Sequence, residues 1–293
     1  MQKKILLVGT VSNVAKTIEK ELKVVLKALS LFDCIEVYLI ESDSMDATTI
    51  ILDKQKLNNS NFQFEALGKL KDRYPNRVDR IAYCRNIYVE YIREFHSISK
   101  WDYVAVADLD GMNFKLSTKG IKSSIETSID WDGVMANQTF GYYDIYALRA
   151  KNWVENDCFE DLRNYRIGKL APLTNDKRVY GFIRNYVVSD FSRHKFIYQK
   201  MKKIEKSANW ISVNSAFGGF AIYKPWVFMN FNYEKINRSY TVSEHVGFHE
   251  KTTAAGAKYF INPYMVNCHV NEYNLNKFTI VRLARFLKTK LII

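Results

Sequence analysis

The chain has 293 residues, 47% of them hydrophobic and 25% charged, with only 4 Pro and 12 Gly. This excludes whole-chain disorder and collagen-like or low-complexity structure, and the length suffices to bury a core without cross-links. Lys and Arg number 43 against 31 Asp and Glu, and the formal charge of +12 favours anionic partners such as phosphates, nucleic acid or an anionic membrane.

No window of about 18 uncharged apolar residues occurs, so no transmembrane helix is expected. The opening MQKKILLVGTVSNVAK has no small-residue cleavage site and reads as a first strand rather than a signal peptide. The four cysteines, Cys34, Cys84, Cys158 and Cys268, form no C-x-x-C pair. That argues against a disulfide framework or a zinc cluster and for a reducing cytoplasm.

Residues 4–9 (KILLVG) predict a buried strand, followed by a helix capped by Ser12 with an apolar face of Val14, Ile18, Leu22, Val25 and Leu29. Residues 35–40 (IEVYLI) predict a second strand ending in Glu41-Ser42-Asp43-Ser44, then a short helix, and a third strand falls near 62–67. Residues 79–95 place Ile81, Cys84, Tyr88, Tyr91, Ile92 and Phe95 on one helical face, and 102–107 (DYVAVA) predict a strand closed by Asp108-Leu109-Asp110-Gly111. Alternation of strand and helix over the first 110 or so residues is the signature of right-handed βαβ units and a parallel sheet, which binds ligands at the carboxyl ends of its strands.

Past residue 130 the rhythm changes. Shorter strands are expected at 132–137 and 143–148, helical pieces in a basic, aromatic stretch over 150–210, and a strand at 217–223 entered through the Gly218-Gly219 pair. A helix capped by Ser243 is expected over 243–255, then a short strand at 259–261 stopping at Asn262-Pro263, and a basic amphipathic helix over 274–293. With no repeat and no linker-like run, one continuous domain is expected over residues 1–270, with a C-terminal helix, 271–293, appended.

The polar strand ends carry the chemistry. Asp108 and Asp110 stand at i and i+2, so their carboxylates converge, and two unpaired anions at a core edge call for a cation. Oxygen ligands of this kind suit Mg²⁺ or Mn²⁺, which can also hold a pyrophosphate. Glu41, Asp43 and Ser44 are candidates for hydrogen bonds to a nucleoside, and Arg80 and Arg85 for contact with its phosphates. The first strand–helix turn is neither G-x-G-x-x-G nor a P-loop, which argues against a dinucleotide oxidoreductase and a P-loop NTPase.

Taken together, VYLIESDSMDAT, RIAYCRN and DYVAVADLDG resemble a GT-A-type nucleotide-sugar glycosyltransferase, and RIAYCRN…WDYVAVADLD…YYDIYALR is similar to the cryptococcal capsule mannosyltransferase family. The resemblance covers residues 5–150 well and 215–270 loosely. It implies an α/β, GT-A-like (Rossmann-like), mixed, mainly parallel sheet flanked by helices; residues 150–210, which have no counterpart in it, are read as a helical insertion. It further implies a nucleotide-binding half, 1–115, in which Gly9, Thr10, Glu41 and Asp43 hold the nucleoside, and an acceptor half, 116–270.

By the same resemblance Gly218 and Gly219 form the loop where donor and acceptor sugars meet. Glu244, with His245 next, supplies the general base or holds the acceptor hydroxyl, and His269 completes a metal site with Asp108 and Asp110. His249, one turn from His245, shares its helix face. Retention and inversion both stay open, with the mannosyltransferase-like features leaning to retention.

The expected function is therefore metal-dependent transfer of a sugar from a nucleotide-sugar donor to a glycan or lipid-linked glycan acceptor in bacterial surface polysaccharide synthesis. Basic residues between 163 and 203 are candidates for an anionic acceptor. The C-terminal helix either rests on the anionic inner face of the cell membrane or docks on the protein's own core. Two alternatives carry weaker signals. A nucleotidyltransferase would need a Gly-rich basic loop that residues 9–16 lack, and a nucleic-acid-binding module would need a recognisable motif that is absent, so no nucleic-acid partner is expected.

Overall fold

A computed structural model describes residues 3–170, 179–234, 242–278 and 280–282. Alternating apolar stretches build an eight-stranded sheet in the order β3-β2-β1-β4-β7-β5-β8-β6. The strands are β1 (Lys4–Val11), β2 (Cys34–Glu41), β3 (Phe62–Ala66), β4 (Tyr103–Asp108), β5 (Gly133–Gln138), β6 (Ile211–Val213), β7 (Phe220–Tyr223) and β8 (Tyr259–Cys268). Pairing is parallel from β3 to β4 and between β5 and β8, while β7 and β6 run antiparallel to their neighbours. This is the mixed, mainly parallel sheet flanked by helices that the sequence predicts.

The flanking helices are α1 (Ile18–Ala28), α2 (Thr48–Asn58), α3 (Arg77–Ser99), α4 (Thr118–Ile125), α5 (Cys158–Leu170), α6 (Val179–Phe196), α7 (Trp226–Met229), α8 (Glu244–Ala254) and α9 (Glu272–Leu275). The central strands are apolar on both faces because helices cover both. Leu6, Val8, Ile40, Val104 and Val106 cluster with Cys84, Tyr88 and Ile92 of α3. Ile5, Leu7, Leu39, Ala105 and Ala107 cluster with Ile18, Leu22 and Val25 of α1. Each buried Val, Leu or Ile among them contributes about 1.5–3 kcal/mol by leaving water.

Chain order reverses at β1: β2 and β3 lie to one side, β4 to the other. The carboxyl ends of β1 and β4 flank that switch point, where open α/β sheets take ligands. The register sets Thr10 opposite Asp108 and Val11 opposite Glu41, so the polar strand ends form one edge.

Several local expectations are corrected. Ser12 caps no helix. α1 begins at Ile18, and the preceding loop is tied to the next strand–helix loop instead, through Asn13 N–H to Ser44 Oγ (2.9 Å), Val14 N–H to Thr48 Oγ1 (2.8 Å) and Ala15 N–H to Asp46 Oδ2 (3.0 Å). Residues 143–148 form no strand, and 145–147 make a turn. The Asp144 carboxylate accepts the Ala147 N–H (3.3 Å), and such local side-chain bonding competes with ladder pairing.

The strand expected to stop at Pro263 runs to Cys268. Its pairing with β5 shifts register there, and Asn137 Nδ2 donates to the Pro263 carbonyl (2.9 Å), so the proline sits in an irregularity that needs no ladder N–H. Ser243 holds the N-cap position of α8 but makes no side-chain cap bond. Edge strand β6 carried no signal that the sequence reading used.

Most of the predicted C-terminal helix, residues 283–293, lies outside the described residues. In the described part the basic groups turn inward: Arg282 pairs with Asp190 and covers the Tyr198 ring, and Lys277 donates to the Met201 carbonyl (2.7 Å). Among the described residues no helix is long and apolar enough to cross a membrane.

Candidate functional site

A cavity of about 980 Å³ opens along the carboxyl ends of β1, β2 and β4. Its lining includes Thr10, Asp43, Lys71, Arg77, Arg80, Arg85, Asp108, Asp110, Glu244 and His245, together with Tyr143, Asp144, Tyr146, Phe159 and Tyr273.

Asp108 closes β4. Its N–H donates to the Gly219 carbonyl (2.9 Å), its own carbonyl accepts Asn113 Nδ2 (2.6 Å), and Leu109 is buried beyond it. Strand alternation thereby sends Asp108 and Asp110 toward the cavity while Leu109 fills the core. Gly111 follows at φ +101°, a conformation that suits glycine.

Glu21, fully buried on α1, clamps this loop by accepting the Gly111 N–H (2.6 Å), the Asn113 N–H (2.7 Å) and Asn113 Nδ2 (3.0 Å). Burial pushes its carboxyl up to about 7, against these hydrogen bonds and with help from Asp110. Glu21 was missed in the sequence, although it interrupts the apolar face of Ile18, Leu22 and Val25.

Arg85, expected at a phosphate, is instead buried and joined to both flanking acids. Nη2 lies 3.1 Å from Asp108 Oδ1, Nε lies 3.1 Å from Glu244 Oε1, and Nη1 donates to the Tyr88 hydroxyl (3.2 Å). The rings of Phe217 and Tyr233 lie 5.2 and 5.5 Å from the guanidinium carbon.

His245 stacks on Phe217 at 4.0 Å and is 2% exposed, yet neither ring nitrogen has a hydrogen-bond partner among the described residues. Burial, with Arg85 and His249 nearby, holds it well below the usual histidine range, so the ring is neutral. His249 lies outside the cavity lining, fixed between the hydroxyls of Ser215 and Tyr223 at 3.0 Å each.

The nucleoside candidates divide. Thr10 and Asp43 line the cavity, and Gly9 and Glu41 do not. Gly9 is a packing residue, since a β-carbon there would lie 2.3 Å from the Ala107 carbonyl oxygen. Glu41 accepts the Ser44 N–H (2.9 Å). Asp43, at φ +60°, accepts the Leu70 and Lys71 N–H groups (2.9 and 3.1 Å) and pairs with Arg80 at 3.2 Å. Arg80 also donates to the Tyr74 carbonyl (2.7 Å).

Gly218 and Gly219 have φ +72° and +84° and sit behind the wall formed by Phe217. Gly218 donates its N–H to Asp144 (3.0 Å), so the pair positions the aspartates at 108 and 144. Asp144 is the second residue the sequence reading did not single out. Burial raises its carboxyl to about 6, with Asp108 and Glu244 adding to the effect and the Gly218 and Ala147 N–H groups opposing it.

His269 is exposed, lies off the cavity lining and bonds Thr139 Oγ1 through Nδ1 (2.6 Å). Among the described residues no three His, Cys, Asp or Glu side chains are grouped to hold a metal ion. Asp108 and Asp110 still fit a hard cation, because Mg²⁺-type sites commonly use one or two carboxylates and take their remaining ligands from substrate phosphates and water.

No protein-family model matches the chain, and no curated protein matches it in sequence. Solved structures do align with it. The mannosyltransferase PcManGT from Pyrobaculum calidifontis, in complex with GDP-Man and Mn²⁺, aligns over 93% of this chain and 59% of its own at 11% identity, with a TM-score of 0.48. Residues 1–349 of S. aureus TarS align over 91% of this chain and 60% of that one at 10% identity and TM-score 0.46. Glucosyl-3-phosphoglycerate synthase from Mycobacterium tuberculosis, in complex with UDP, aligns over 91% and 69% at 11% identity and TM-score 0.37. The chain thus spans 59–60% of the length of the first two.

Proposed function

We propose that this chain is a metal-dependent glycosyltransferase that moves a hexose from a nucleotide-sugar donor to a glycan acceptor. The observation that supports it best is the pair Asp108 and Asp110, set at the carboxyl end of β4 beside the switch point and facing a cavity large enough for a sugar nucleotide. Asp108 and Asp110 would hold Mn²⁺ or Mg²⁺, which when bound neutralises the charge gathering on the departing diphosphate.

In this reading Thr10 and Asp43 border the nucleoside. Lys71, Arg77 and Arg80 line the same cavity and offset the charge of an incoming diphosphate. Arg85 holds Asp108 and Glu244 in fixed places, and Glu244 and His245 border the point where the two sugars meet. Surface polysaccharide, free or lipid-linked, is the acceptor we favour, and its support is the sequence resemblance alone.

Asp110→Ala tests the reading. The variant should melt like the wild type, yet lose the Mn²⁺-dependent thermal stabilisation by UDP or GDP and the Mn²⁺-dependent hydrolysis of the corresponding sugar nucleotide. A variant that keeps both removes the metal-dependent assignment.

A further inference from the structure

One part of the cavity lining is aromatic. Tyr143 and Tyr273 stack there with ring centres 5.4 Å apart and planes 16° apart, and Tyr146 meets Phe159 edge-on at 5.0 Å. The four rings come from the loop after β5, from α5 and from α9, so tertiary structure assembles the group. Tyr273 and Phe159 remain 44% and 38% exposed, which leaves apolar ring surface facing the opening.

Asp144, next in sequence to Tyr143, lines the same cavity. Its Oδ2 accepts the Gly218 N–H (3.0 Å) and its Oδ1 the Ala147 N–H (3.3 Å), so each oxygen keeps acceptor capacity for one further donor. No Lys or Arg side chain among the described residues pairs with it, whereas Glu244 is bound to Arg85. Flat aromatic surface beside an anchored carboxylate matches a pyranose: the C–H face rests on the ring and the hydroxyls donate to the oxygens.

We propose that this aromatic part of the cavity is the acceptor subsite for a hexopyranose, with the Tyr143–Tyr273 pair as its platform and Asp144 as the catalytic residue that takes the proton from the attacking hydroxyl. The proposal rests on the glycosyltransferase reading. As the hydroxyl oxygen bonds to the anomeric carbon of the donor, the bond from that carbon to the diphosphate oxygen breaks. Its electron pair leaves with the diphosphate, and the hydroxyl proton passes to Asp144. A single displacement of this kind inverts the anomeric centre. Burial, with Asp108 and Glu244 contributing, raises this carboxyl to about 6, so it is ionised at neutral pH and more basic than an exposed aspartate.

Saturation-transfer NMR tests the subsite, with methyl α- and β-glucosides, galactosides and mannosides added to the full chain in the presence of Mg²⁺ and UDP or GDP. At least one hexoside should give signal, and Tyr273→Ala should reduce it about fivefold or more while the diphosphate Kd stays within about twofold. A wild-type protein that binds diphosphate and no hexoside overturns the subsite, as does a Tyr273→Ala variant with unchanged signal. A protein that binds neither diphosphate removes the glycosyltransferase reading beneath it.

The role of Asp144 is read from acceptor-stimulated diphosphate release, with the hexoside that binds and with GDP-mannose, UDP-glucose, UDP-galactose and UDP-GlcNAc as donors. Asp144→Asn and Asp144→Ser should each lower kcat about 100-fold with little change in donor KM, and the acid limb of the wild-type pH profile should disappear. A folded variant of either kind with the wild-type rate and profile overturns it, and so does a wild type that shows no acceptor-stimulated release.

Discussion

The guanidinium of Arg85 sits 3.1 Å from Asp108, so the acid that ends the central strand is paired with the helix packed behind it. The same group reaches Glu244 at the start of α8 at an equal distance. Truncating it strands two partly buried carboxylates. Arg85→Ala should cost about 3–5 kcal/mol in denaturant unfolding. Arg85→Lys should recover only part of that, because one ammonium cannot reproduce the planar fork. A loss below about 1 kcal/mol for Arg85→Ala would show that the bridge does not hold these elements together.

The clamp at Glu21 carries a pH signature. Its carboxyl is raised from 4.5 to about 7, so the folded state keeps a proton that the unfolded chain has released in that interval. The associated stability is present below 4.5 and is lost as pH rises through 7, by up to about 3 kcal/mol. Subtracting the unfolding free energy of Glu21→Gln from that of the wild type, point by point from pH 4.5 to 8, should give a curve that falls with pH. A flat difference curve would contradict the burial of this carboxyl.

His249 works in the opposite direction. Burial, with Arg85 adding to it, lowers it to about 3, so below its ordinary value of 6.5 the unfolded chain binds a proton that the folded chain refuses. That part of the stability is lost as pH falls from 6.5 toward 3. His249→Asn should lessen the acid sensitivity seen in equilibrium unfolding, even though the variant is less stable at pH 7 for want of its two 3.0 Å hydrogen bonds.

His245 offers a test that separates folding from function. Among the described residues its buried nitrogens have no hydrogen-bond partner, and phenylalanine keeps the stack on Phe217. His245→Phe should raise stability by about 1 kcal/mol, since an unsatisfied polar ring leaves the interior. Sugar-nucleotide turnover should fall in the same protein. A variant that is no more stable and turns over normally would mean that the ring is ordinary core.

Gly9→Ala probes the seam between β1 and β4. A methyl group 2.3 Å from the Ala107 carbonyl forces the strands apart and carries Thr10 away from Asp108. A loss of about 1–3 kcal/mol is expected in thermal or denaturant unfolding. Backbone amides of residues 105–108 should exchange faster with solvent.

The first half of the fold was legible because its signals are local. Continuous apolar strand runs and the helical face of Cys84, Tyr88 and Ile92 announce themselves within a few residues, and the polar strand ends follow from them. The second half was less so. The strand expected at 143–148 has the right composition, but Asp144 bends the backbone, and only contact with Gly218, 74 residues away, reveals why. Pro263 looked like a stop because its tolerance inside β8 depends on an irregularity in the partner strand. At the site, Asp108 and Asp110 were found from spacing. Glu21 and Asp144 matter through what they touch across the fold, and their neighbours in sequence give little warning. Arg85 was named for its charge, and its real partners, one of them 159 residues distant, were beyond the reach of any local pattern.

Strand β7 enters the sheet between β4 and β5 although it follows both by many residues. During synthesis those two strands therefore wait with open edges, able to pair with a neighbouring chain, until residues 220–223 leave the ribosome. A nascent chain halted at residue 210 would hold every donor-side residue discussed above and still lack the strand that joins its halves. Truncation there should yield insoluble material rather than a working nucleotide-binding fragment.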